Sequence, residues 1–87
     1  MVVEGNLTIE TVPALYEAGV RHLVEADLVV DFSRTAAVDS AAVGMLLGWT
    51  RAAQKSKRAL RVTGLPENLI SLAHLYGVSD MLPLQST

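Results

Sequence analysis

The chain has 87 residues, no cysteine and a formal net charge of -2. The missing cysteines exclude disulfides and thiolate metal sites, and the absence of any block of like charges argues against nucleic acid as the main partner. With 51% hydrophobic residues and a mean hydropathy of +0.36, a single domain that buries only ~60–65% of its unfolded surface is expected to leave an apolar patch outside for a partner.

The longest apolar run, Ala41 to Trp49, contains Gly44 and Gly48 and falls short of the ~20 residues of a membrane span. The start, Met-Val-Val-Glu-Gly, has no basic region, so no signal peptide is expected. A reducing compartment suits a chain without cysteine.

Met1 to Gly5 reads as the tail of a strand, and Gly5-Asn6 as a turn. Leu7 to Val12 is open between a short strand and the cap of a helix, with Thr8 or Thr11 as the capping residue. Pro13 then falls in the first turn, where its missing N–H does little harm. Val12, Leu15, Tyr16, Gly19, Val20 and Leu23 recur at spacings of three and four, one apolar helical stripe. Glu17, Arg21 and Glu25 form the solvated face. His22 lies on its flank, with no second ligand at metal-binding spacing.

Asp27 to Phe32 is the second strand. Its β-branched run predicts a strand covered on both faces, as in a sheet flanked by helices. Ser33 to Ala37 is read as a loop. Ser40 or Asp39 caps the second helix, which runs to about Gln54 or Lys55, and the cations of Lys55-Ser56-Lys57-Arg58 complement its dipole. Asp39 and Ser40 thus stand just beyond the carboxyl end of a strand, where sites in open α/β sheets tend to lie. Ala59 to Thr63 is the third strand and Gly64-Leu65-Pro66 a turn. A third helix follows from Pro66 or Glu67 to Tyr76, with Gly77 at its C′ position and His74 as a boundary residue. Val78 to Leu84 adds an edge strand or simply covers the core. The alternation predicts a mostly parallel sheet with right-handed crossovers.

The second helix is apolar on more than one face. Steps of about 100° per residue put Val43, Leu46, Leu47, Thr50, Ala53 and Gln54 on a core face. They put Ala41, Met45, Gly48 and Ala52 on the far side, with Trp49 on its border. Small residues there would let a partner approach, and Trp and Met would supply contact area. Docking by another protein, self-association as a homodimer, and burial by the third helix are the alternatives. On the docking reading, Trp49→Ala weakens partner binding more than it lowers the melting point.

Nucleophilic catalysis at Ser40 would need an adjacent base, but His22 and His74 lie on other helices. Neither a P-loop nor G-x-G-x-x-G is present, and an enzyme is not expected. Ser40 itself reads as a helix cap or as a phosphorylation site.

Leu28-Val29-Val30-Asp31-Phe32-Ser33, followed by Asp39-Ser40, Gly44 and Leu46-Leu47, resembles the signature of STAS domains, the fold of anti-sigma factor antagonists and sulfate-transporter tails. Gly5-Asn6-Leu7-Thr8 resembles the stretch before that family's first helix, and Gly64-Leu65-Pro66 the turn before its last. The family usually has a small polar residue and a glycine where Ala41-Ala42 stand here. The resemblance implies one STAS domain over residues 1–87: an α/β fold with a mostly parallel sheet of about four strands, about three helices and a short N-terminal strand.

Two branches are in view. Leu72-Ala73-His74-Leu75-Tyr76-Gly77-Val78, with Leu82-Pro83, is similar to the end of the small STAS subunit of Mla-type ABC transporters, which move phospholipid between the membranes of Gram-negative bacteria. This implies a cytoplasmic, non-enzymatic accessory subunit at an inner-membrane complex, without cofactor, metal site or membrane insertion. It would bind the ATPase subunit through the Asp-Ser loop and second helix: Asp39, Ser40, Ala41, Met45, Gly48, Trp49 and Ala52. In the other branch the chain is an anti-sigma factor antagonist, and a kinase phosphorylates the serine matching Ser40, blocking binding. A lipid- or nucleotide-binding module is a third reading, from a different class.

Overall fold

A computed structural model of the chain describes residues 1–78. The expected terminal strand or cover, Val78 to Leu84, lies outside the described residues apart from Val78. The described elements run β1 (Val2–Leu7), α1 (Val12–Glu25), β2 (Leu28–Val38), α2 (Ser40–Ser56), β3 (Leu60–Thr63) and α3 (Glu67–Leu75). The strands form one parallel sheet in the order β1-β2-β3. The α/β alternation is as expected. Three strands stand among the described residues, and no fourth.

Among the described residues the sheet is covered by helices on one face, and Val2 and Val29 on the other are exposed, where cover on both was expected. Each right-handed crossover steps in the same direction across this sheet, so α1 and α2 fall on the same side and pack together. Leu28, Val30 and Phe32 of β2 point into the core with Val3, Leu7 and Val62, and all are buried. Their neighbours point away: Val2 is 56% exposed and Val29 54%. The β-branched run in β2 is therefore a half-buried strand whose outer positions happen to be valine as well.

β2 also runs on through Val38, across the segment read as a loop. Ser33 to Ala37 lacks alternation, and it is held extended by pairing with β1: Glu4 lies opposite Arg34, Gly5 opposite Thr35 and Leu7 opposite Val38, with two irregularities in register. Gly5, at φ +83°, accommodates one of them.

Trp49 and Met45 are the main correction within the helices. They are 0% and 2% exposed, sealed inside the protomer. The Trp49 indole covers Gly19 of α1 so closely that a Cβ there would overlap it, and the Tyr16 ring covers Gly48 in the same way. Nε1 of Trp49 donates to the Tyr16 carbonyl at 3.0 Å, and the indole packs tilted against Phe32 with ring centroids 6.4 Å apart. Small residues on α2 do let another helix approach, but that helix is α1 of the same chain.

Candidate functional site

The carboxyl ends of β1 and β2 meet the start of α2 in one corner. Its centre is Asp39, whose backbone is extended and whose two carboxylate oxygens are both engaged. Oδ1 accepts from the Ala41 amide at 2.8 Å, capping α2, and Oδ2 accepts from the Ile9 amide at 3.2 Å. The Asp39 amide donates to the Leu7 carbonyl at 3.0 Å. A carboxylate at a helix N-terminus satisfies an orphan amide and meets the positive end of the dipole.

The loop that brings Ile9 to this corner is braced from within. Thr11 is the N-cap residue of α1, yet its side chain makes no cap bond to the helix. Its Oγ1 instead donates to the Asn6 carbonyl at 2.7 Å and accepts from the Thr8 amide at 3.0 Å. The side chain of Asn6 in turn accepts from the Ala37 amide at 3.2 Å. These bonds hold Ile9 out in solvent, 75% exposed. A single exposed apolar side chain is common; what sets Ile9 apart is that its own amide is bonded to the Asp39 carboxylate at the corner.

Because Asp39 is the cap, Ser40 is freed from that task. It is the first residue of α2, exposed, and its hydroxyl makes no hydrogen bond among the described residues. Gly44, one turn on, is also exposed, and a Cβ added there would meet open space. Leu47, half-buried, and Arg51, exposed, continue the same stripe at spacings of three and four.

Of the seven expected contact residues, the structure brings Asp39 and Ser40 to this corner. Ala41, Gly48 and Ala52 are half-buried on the flank of α2, and Met45 and Trp49 are inside. The outward face of α2 is the stripe Ser40, Gly44, Leu47 and Arg51, rotated from the face that hydrophobicity alone picks out. Ile9, Gly44 and Arg51 are therefore the contact candidates that sequence reasoning missed. A glycine in mid-helix was the available signal for Gly44, since it weakens a helix unless something needs the room.

Other features stand apart from the corner. An open depression of about 420 Å³ on α1 is lined by Tyr16, Glu17, Val20 and Arg21. His22 Nε2 bonds the Asp27 carbonyl at 2.9 Å, a structural task. Among the described residues no cluster of His, Cys, Asp or Glu could hold a metal ion, and no helix is long and apolar enough to cross a membrane. On β2, the Ser33 amide donates to Asp31 Oδ1 at 2.8 Å. That bond, with the Ser33 hydroxyl and the nearby Arg34 and N-terminal charges, holds the Asp31 carboxyl below the usual aspartate range.

A family model described as Mlab, STAS domain matches residues 1–83. No curated protein matches the chain. The match covers nearly all of the sequence, and the chain belongs to the STAS domain family.

Proposed function

We propose that this STAS domain, from a family that is generally non-catalytic, is a cytoplasmic accessory subunit of an Mla-type phospholipid ABC transporter. It docks on the ATPase subunit through the Asp39–Ser40 corner, Ile9 and the outward stripe of α2. The observation that carries the docking site is Ile9: it is 75% exposed and tied by its own amide to the Asp39 carboxylate. An apolar residue is thereby held by its backbone at the corner from which the exposed helix positions Ser40 and Gly44 begin. Preorganised anchors with uncrowded surroundings are what interfaces use, since little conformational freedom is lost on binding. Two things support the choice of transporter: the Mlab description of the matching family model, and the resemblance of Leu72 to Val78 to the end of that subunit.

The test is co-purification of the tagged chain with an Mla-type ABC ATPase subunit. Ile9→Asp and Gly44→Arg should each lose the ATPase while keeping the melting temperature within a few degrees. Retention by both variants would remove the corner from the interface.

A second reading rests on the free Ser40 hydroxyl. As an exposed group that is not the helix cap, it is accessible to a kinase, and a phosphate there would lie at a helix N-terminus beside the Asp39 carboxylate. This is the arrangement an anti-sigma factor antagonist would use. Phosphorylation of Ser40 by a co-encoded serine kinase, with no ATPase bound, would favour it.

A further inference from the structure

The outward stripe of α2 changes character along its length. Near its start lie the Asp39 cap and the neutral Ser40 and Gly44. From Arg51 onward it carries cations: Arg51, Lys55, then Lys57 and Arg58, all exposed. We infer that this basic end recognises an acidic surface on the protein partner that covers the stripe. The inference rests on the docking reading above and adds the chemistry of the partner.

Three observations carry it. First, none of these charges is paired among the described residues. The one ion pair among the described residues joins Arg34 to Glu4 at 3.2 Å, elsewhere on the sheet. Asp27, the acid that the fold brings to this end, has its Oδ1 on the Ala59 amide at 2.9 Å.

Second, the helix dipole accounts for only part of the cluster. Its effect is confined to the last turn, where Lys55 lies. Arg51 stands a turn further back, on the stripe itself.

Third, Lys57 occupies a backbone conformation that favours glycine. It ends α2 at φ 56° and ψ 42°, the sole non-glycine residue with positive φ among those described. Glycine is the usual residue there because a Cβ is crowded in that conformation. A lysine held at this position keeps a charge where the fold alone would do better without a side chain.

Arginine offers a carboxylate a planar fork, and the lysines act as point charges. Exposed charges of this kind govern encounter rate and orientation more than final affinity. A stripe that is neutral at one end and basic at the other would therefore set the direction in which the domain lies on its partner.

Association with the purified ATPase subunit, followed by biolayer interferometry at about 0.1 M and about 1 M salt, tests this. Arg51→Glu with Lys55→Glu should slow association by about ten-fold or more at the lower salt, with the difference largely gone at the higher. Arg51→Gln with Lys55→Gln, which places no acid at a helix C-terminus, should shift it in the same direction by less. Lys57→Gly should raise the melting temperature yet slow association, a pairing that a purely structural lysine would not give. If both double variants bind as the wild type does while Gly44→Arg does not bind, docking stands and the acidic surface is refuted. If the wild type fails to bind the ATPase, the docking reading falls and this inference with it. A third outcome also overturns it: double variants that keep the ATPase but lose binding to vesicles of equal phosphatidylcholine and phosphatidylglycerol, which would assign the cations to a lipid surface.

Discussion

The indole of Trp49 occupies the space that a side chain on Gly19 would need, and its N–H reaches the Tyr16 carbonyl at 3.0 Å. Gly19 and Trp49 are thus one joint between α1 and α2. Trp49→Ala should destabilise the domain by about 3–5 kcal/mol, as truncation of a buried aromatic does. Gly19→Ala should cost about 1–3 kcal/mol by overpacking. Urea unfolding measures both. A Trp49→Ala domain of near wild-type stability that has merely lost its partner would contradict the burial.

Asp39 and Ser40 should separate cleanly. Asp39→Ala removes the cap on Ala41 and the tie to Ile9, and should cost about 0.5–2 kcal/mol. Ser40→Ala removes an exposed hydroxyl with no intramolecular task and should stay within about 0.5 kcal/mol of wild type. Thermal melts of the two variants decide it. Equal losses would mean that Ser40 shares the capping.

Gly44 should reveal a conflict between stability and docking. With nothing near a new Cβ, Gly44→Ala should stabilise α2 by about 0.5–1 kcal/mol. The same methyl group would intrude on a closely seated partner and weaken binding. Calorimetry of the variant alone, beside its affinity for the ATPase, reads the two effects.

Asp31 makes stability depend on acid. Its carboxyl is held below the usual aspartate range, chiefly by the Ser33 amide, so the folded chain favours the ionised form. That contribution is present above the unfolded pKa of about 3.9 and fades as pH falls through the lower folded value. Asp31→Asn should therefore lower stability at neutral pH and flatten the acid limb of the profile, the two proteins converging as pH falls through the folded value. An NMR titration placing the Asp31 midpoint at or above the unfolded value would refute the assignment.

Much of the fold was legible because most of its helices and strands announce themselves locally, although β1 runs on to Leu7 through Gly5-Asn6, which read as a turn. The stripe from Val12 to Leu23 and the alternation of Ala59 to Thr63 lie close to α1 and β3 as found. What stayed hidden was set by tertiary contacts. Ser33 to Ala37 has no strand pattern of its own and becomes one by pairing with β1. The placing of α1 and α2 on one face of the sheet follows from strand order, which no single strand encodes. On α2, apolar residues occupy so much of the circumference that hydrophobicity alone could not say which arc faces out. The position of α1 decides it, through Gly19 and Gly48. Asp39 and Ser40 were legible as a strand-end corner. Ile9 was not, because only the fold brings residues 9 and 39 together.

The chain has a single tryptophan, and it is wedged into one joint. Intrinsic fluorescence therefore watches that hinge line and little else. A ligand that seats on the domain as a rigid body should leave the emission maximum where it was, whereas one that pries the first helix away from the second should redden it at once. No dye is needed to tell a passive adaptor from one that opens when engaged.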